Sequence, residues 1–211
     1  MRSSAVLDTD LTGKARIREA ALERFAADGV AATSLRAVAK AAGVSPGLIV
    51  HHFGSKEGLC RAVDDAVVKR IELALAEVPI EGPGDELLEE RGDAIVALLR
   101  NQPVLCDYIG RALAEDTEAS AELFHRLFRS ARRDQALVKA SAIRPDTDPF
   151  WRTIHQMLLI VGPLMMRRLI ERELGGSLLE ERNFERWMRA NTDLLQNGLY
   201  TGGSKPKKRK K

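Results

Sequence analysis

The sequence predicts an all-α protein, with a small three-helix domain near the N-terminal end and a larger helical body after it. Three observations predict this. Aromatic residues are only 5% of the 211 residues while Ala, Leu, Arg and Glu abound, a composition that favours helix. Apolar residues recur at the i, i+3, i+4, i+7 spacing of a helix face, and no stretch alternates with the period of two that a half-buried strand shows. The stretch from Thr33 to Lys56, TSLRAVAKAAGVSPGLIVHHFGSK, holds the start and stop signals of two short helices in succession.

Taken in order, residues 1–11 lack periodicity and are expected to form a flexible arm. Thr12 is placed to cap a first helix, whose stripe of Ile17, Ala20, Ala21 and Phe25 ends at Gly29. Thr33 and Ser34 bring hydroxyls to cap a second helix, on which Leu35, Val38, Ala39 and Ala42 form one apolar face. Gly43 follows, where positive φ carries no Cβ penalty, and Val44 offers the apolar contact that closes the turn. Ser45 is the next cap, and Pro46 stands at the first helical position, where its missing N–H costs nothing. Gly47 is a poor helix former, and its bare backbone suits close approach to another surface, here read as a phosphate. Gly54 ends this helix, and Ser55 caps a third with Glu57 in its first turn to suit the helix dipole. Two helices joined by a glycine-containing turn of about four residues make a helix-turn-helix, whose second helix enters the major groove of DNA.

The residues LRAVAKAAGVSPGLIVHHFGSKEGL resemble the DNA-binding signature of the TetR family of transcriptional repressors, and the resemblance runs from about Lys14 through Val68. It implies that Thr33, Ser34, Arg36, Ser45, Pro46, Gly47, Leu48, His51, His52 and Lys56 occupy DNA-contact positions. The residue types suit that role. Arg36 lies in a first turn where it can reach a base edge or a phosphate, the free N–H groups behind Ser34 and Ser45 favour anionic oxygens, and Leu48 can pack on a thymine methyl. His51 and His52 fall at the far end of the helix and Lys56 on the DNA backbone, although a packed histidine and a solvated lysine are the plainer readings of two of them. Many family members carry a tyrosine two residues before the His-Phe pair, where it reaches a phosphate. Here the residue is Val50, and that contact is expected to be missing.

The helix from Ser55 carries Leu59, Val63, Ala66, Val67, Arg70 and Ala74 and is expected to run to about Val78, a rod of roughly 35 Å that can serve two domains. Pro79, Gly82, Pro83 and Gly84 mark a turn. A stripe through Leu87, Leu88, Ala94, Ile95, Leu98 and Leu99 ends near Asn101, and Pro103 opens a helix with Leu105, Ile109 and Leu113. Thr117 begins a longer one through Leu123, Phe124, Leu127, Phe128, Ala131 and Leu137, fading by Ser141 before a loop from Ile143 to Pro149. Beyond it one helix is predicted from Asp148 or Pro149 to Leu174, kinked at Gly162-Pro163. It is apolar nearly all round between Ile154 and Met166, which implies burial on more than one side. Gly175-Gly176 closes it, and a last helix from about Leu179 to Leu199 carries Phe184, Trp187, Met188, Leu194 and Leu195. Two such helices suit a dimer interface. The resemblance implies that they pair with their symmetry mates in a four-helix bundle, and two-fold symmetry lets two recognition helices read a palindrome.

The helical body implies an effector pocket, for which Tyr108, Phe124, Phe128, Trp151, His155 and Met165 are the candidate lining residues, with His125 a further one. Singly, each also reads as ordinary core. Enzymatic features are scarce. Adjacent His51 and His52 point about 100° apart on a helix and have no ligand partner at i+4, so no metal is expected. No phosphate loop or nucleophile elbow occurs, and no cofactor is expected. Cys60 and Cys106 read as reduced core residues, which fits the cytoplasm. The most apolar run, Met157 to Met166, contains Pro163 and falls short of the roughly 20 residues that span a bilayer, so no membrane partner is expected.

The net charge of +3 misleads, because six of the 33 basic residues lie in the final seven positions; without them 27 basic residues face 30 acidic ones. The tail GGSKPKKRKK, residues 202–211, reads either as a native phosphate-binding arm or as an added segment resembling a nuclear-localisation signal. The expected organisation is a DNA-binding domain at 12–60 and an effector-binding and dimerisation domain at 61–201. The expected function is a homodimeric repressor that binds a palindromic double-stranded operator and is released by a small apolar or aromatic effector. The alternatives are a DNA-binding protein controlled by a protein partner or shaping the chromosome, and an enzyme on a helical scaffold.

Overall fold

A computed structural model describes residues 2–78, 84–137 and 147–198, with side chains described for 13–78, 90–136 and 147–195. Among them are ten helices and no strand: α1 (Arg2–Asp28), α2 (Leu35–Ala42), α3 (Pro46–Phe53), α4 (Lys56–Ala76), α5 (Gly84–Asn101), α6 (Pro103–Ala114), α7 (Glu118–Leu137), α8 (Pro149–Met165), α9 (Arg167–Leu174) and α10 (Glu181–Gly198). The basic tail, the turn at 79–83 and most of the loop at 143–149 lie outside the described residues, as do the side chains of Leu87, Leu88 and Leu137.

The chain forms two compact units, one from residues 1–69 with 103–126, the other from 70–102 with 127 onward. In the first, Ile17, Ala21 and Phe25 of α1 close a core with Val38 of α2, Ile49 of α3, Leu59 and Val63 of α4, and Leu105 and Tyr108 of α6, each no more than 1% exposed. The rings of Phe25 and Tyr108 stack with centroids 6.4 Å apart. This is the apolar stripe predicted for α1, but the helix begins at Arg2 and not at the Thr12 cap. No proline interrupts the earlier residues, and extending a formed helix costs far less than nucleating one.

In the second unit α10 packs on α5, and Leu99, Met157, Val161, Leu164, Phe184 and Met188 are buried. The helix predicted from Pro149 to Leu174 is two helices. Asp148 caps α8, its carboxylate accepting from the N–H groups of Phe150 and Trp151. The helix then runs through Pro163 and breaks at Met166, where φ −93° and ψ 10° depart from helical values. Pro163 has no N–H to give to the carbonyl of Leu159, four residues back. That carbonyl instead accepts from Trp187 Nε1 at 3.1 Å and Asn191 Nδ2 at 2.9 Å, both on α10.

Burial on α8 in the single chain is one-sided. Thr153, Met157, Val161 and Leu164 form one buried face, while Leu158, Met165, Met166 and, on α9, Leu169 stay 42 to 56% exposed. Within one chain, then, α8 buries a single side. The all-round apolar sequence leaves the other side presented to solvent.

Candidate nucleic-acid interface

The α2–α3 pair is built from local signals, each of which the geometry satisfies. Ser34 holds an extended backbone and its hydroxyl accepts from the Ala37 N–H at 3.1 Å. At the other end Gly43 takes φ 64°, so that Val44 N–H reaches Ala39 O at 3.0 Å and Gly43 N–H reaches Lys40 O at 3.3 Å. These two bonds make up a Schellman motif, which satisfies carbonyls the helix leaves open. Ser45 then caps α3 by accepting from Leu48 N–H at 3.3 Å, with Pro46 in the first turn. Ile49 is fully buried and anchors α3, while Pro46, Gly47, Val50 and His51 face outward.

A glycine just beyond the α2–α3 pair fixes the far end. A Cβ on Gly58 of α4 would collide with the carbonyl oxygen of Phe53, so the start of α4 lies hard against the end of α3 only because residue 58 is bare. Gly47 is different in kind. A Cβ there would meet nothing nearer than Ser45 Oγ at 3.9 Å, so the fold itself does not demand a glycine.

Of the predicted contact residues, Ser34, Arg36, Ser45, Pro46, Gly47 and His51 are exposed, and Leu48, His52 and Lys56 are half-buried. Lys56 Nζ donates to Ala31 O at 3.0 Å, and the rings of His51 and His52 meet edge-on at 5.3 Å. Thr33 stands apart. It is 3% exposed and its hydroxyl donates to Gly29 O at 2.7 Å, a bond that fastens the turn ahead of α2. Lys14 adds a cation 5.7 Å from the Phe53 ring centroid.

The family model for the bacterial regulatory proteins of the tetR family matches residues 17–63, the span just described. The chain is 36% identical over 155 residues, 72% of its own length and 69% of the relative's, to the HTH-type transcriptional regulatory protein RaaS of Mycobacterium tuberculosis. This chain belongs to the TetR family. TetR-family members are DNA-binding transcriptional regulators with an N-terminal helix-turn-helix, not enzymes. Among solved structures, a transcriptional regulator of Rhodococcus sp. Rha1 matches with a TM-score of 0.69 at 20% identity, covering 88% of this chain and 97% of that one. A protein solved in work on control of antibiotic production by bacterial hormones matches with a TM-score of 0.63 at 26% identity, covering 89% and 97%.

The predicted effector residues are divided between the two units. Tyr108 and Phe124 belong to the first unit, Phe128, Trp151, His155 and Met165 to the second. In the second unit a chain of rings runs from Phe128 to Phe150 at 5.4 Å, on to Trp151 at 5.5 Å and to His155 at 5.9 Å, and Phe150 is the member that sequence reading missed. Trp151 is 56% exposed in the single chain. Tyr108 is 1% exposed and donates its hydroxyl to Asp64 Oδ1 at 2.6 Å, with Cys60 Sγ 3.9 Å away. Burial pushes the Asp64 carboxyl up to about 6 and the Cys60 thiol up to about 11. Beside them the first unit carries a cleft of about 490 Å³ lined by Val30, Lys56, Cys60, Asp64, Glu115 and Glu122 among others, and by none of the six predicted effector residues. No group of His, Cys, Asp and Glu among the described residues could hold a metal, and no helix among them is long and apolar enough to cross a membrane.

Proposed function

We propose that this TetR-family regulator is a repressor that binds a palindromic operator as a homodimer and leaves it when a small apolar or aromatic effector binds. The observation that carries the reading is α3 itself, doubly capped, anchored by Ile49, and open at Gly47 where the fold asks for no glycine. An open backbone at the start of a groove-entering helix lets N–H groups approach phosphate closely. Ser34, Arg36, Ser45, Pro46, Gly47, Leu48, His51, His52 and Lys56 are the proposed contacts, with Thr33 holding the turn behind them. In this reading 12–60 is the DNA-binding part and 61–201 the effector and dimer part, working in the cytoplasm beside the DNA.

The exposed Leu158, Met166, Leu169 and Leu194 support the dimer, since apolar residues on adjoining helices lose water when a second copy covers them. The Phe128–Phe150–Trp151–His155 chain supports an effector with aromatic or apolar character. An effector that prefers the DNA-incompetent arrangement 100-fold supplies about 2.7 kcal/mol, enough to weaken operator binding substantially. Electrophoretic shift of the upstream intergenic DNA, with Arg36→Ala and Gly47→Glu as controls, tests the reading. Specific retention by the wild type and loss in both variants is the expected result; no retarded segment would sink it.

A further inference from the structure

The turn between α1 and α2 is held from outside the helix-turn-helix. Helix ends leave backbone groups without intrahelical partners, and neighbouring residues usually satisfy them. Here the partners are side chains more than 80 residues further on. Arg111 Nε in the last turn of α6 donates to Ala26 O at 3.0 Å, closing a carbonyl near the end of α1. Glu115, just past α6, accepts from Val30 N–H at 2.9 Å with one carboxylate oxygen and from Ala31 N–H at 3.3 Å with the other. Gly29, at φ 92°, makes room for this, because a Cβ there would lie 2.5 Å from Glu115 Oε1.

The segment that carries Glu115 is itself braced. Asp116 takes φ 48°, a left-handed conformation uncommon outside glycine and tolerated best by Asp and Asn. Behind it Ser120 Oγ donates to Ala112 O at 2.6 Å while Thr117 Oγ1 accepts from Ser120 N–H at 3.2 Å, so the α6–α7 turn is pinned from both sides. In the α1–α2 turn Lys56 Nζ donates to Ala31 O. The backbone that leads into α2 is therefore fixed by α6 and by the first residue of α4.

We propose that Glu115 is a positioning residue for operator recognition: it sets the placement of the α2–α3 pair through the Val30 and Ala31 amides, and makes α6 part of the DNA-reading unit. The inference rests on the DNA-binding function and on no property of an effector. It carries a distinctive sign. An acidic side chain with no positioning role would, once removed, raise affinity for any duplex by easing repulsion of phosphate. A positioning residue lowers affinity for the selected sequence only.

The test uses the full chain and a duplex that the wild type selects from a random-sequence library, with a scrambled duplex of the same length as the non-specific probe. Glu115→Ala is expected to bind the selected duplex about tenfold more weakly, the scale of one lost charge-assisted hydrogen bond, with non-specific binding equal to or above wild type. Glu115→Gln, which keeps one acceptor, should fall between. Amide exchange at Val30 and Ala31 should quicken in both variants, and that reading holds even if Glu115→Ala is too unstable for titration. Unchanged affinity for the selected duplex, a parallel loss on both duplexes, or unchanged exchange at those two amides would each overturn the proposal. Failure of the wild type to select any sequence would instead count against operator recognition, leaving the exchange result to decide the clamp.

Discussion

The Tyr108 hydroxyl donates to Asp64 Oδ1 over 2.6 Å in a site where both side chains are 1% exposed, and this pair makes the fold sensitive to pH. Burial raises the Asp64 carboxyl from 3.8 to about 6; the Tyr108 hydrogen bond and Arg126 pull it down, Asp65 and Glu122 push it up. The folded chain thus holds this proton more tightly than the unfolded chain. Its contribution to stability is full below the unfolded value and is lost as pH rises through 6, in all about 3 kcal/mol. Asp64→Asn keeps an oxygen for Tyr108 and removes the buried charge. Urea unfolding should show less loss of stability between pH 5 and pH 8 in Asp64→Asn than in wild type; equal losses would place the effect elsewhere.

The Leu159 carbonyl depends on α10 because Pro163 cannot serve it. Asn191→Ala and Trp187→Phe each remove one of its two donors and should cost about 1 kcal/mol singly, and more than the sum together, since the pair leaves the carbonyl without a donor. A double-mutant cycle by chemical denaturation measures the coupling. Strict additivity would show that the carbonyl finds water.

Gly58→Ala should be among the most damaging single-methyl additions in the first unit, because the new Cβ meets backbone, which cannot rotate aside. A loss above about 2 kcal/mol is expected, as for overpacking against a fixed neighbour. Thermal melting followed by circular dichroism checks it, and a variant as stable as wild type would mean that α3 and α4 separate easily.

Gly47→Ala should do the reverse. The added methyl meets only Ser45 Oγ at 3.9 Å, so the free protein should gain up to about 1 kcal/mol from better helix propensity. The same methyl stands where phosphate is proposed to approach, so affinity for DNA should fall. A melt and a binding isotherm on one preparation separate the two effects, and parallel movement of both would contradict the proposed interface.

What was legible in the sequence was local. Ser34, Gly43, Ser45 and Pro46 announce α2 and α3 because a cap is a bond between residues three or four apart, and the structure places those bonds where the residues imply. Long-range service was not legible. Glu115 sits 85 residues from Val30, and no spacing rule joins a carboxylate after α6 to an amide before α2. One helix kinked at Gly162-Pro163 was expected, whereas the chain runs through Pro163 and breaks at Met166, because the damage a proline does depends on whether another element supplies the missing donor. Tyr108 was read from its residue type alone, as ordinary core or as an effector contact; its buried partner Asp64 lies on another helix, out of reach of periodicity.

The doubly served carbonyl of Leu159 also sets an order of events. A chain growing from its N-terminus has made Leu159 and Pro163 well before Trp187 and Asn191 exist. Until those residues are synthesised, α8 carries an open acceptor along its length, and water is the only donor at hand. The seating of α8 on α10 therefore waits until Asn191 has been made, and a chain cut short before Trp187 keeps an α8 whose Leu159 carbonyl lacks both of its α10 donors.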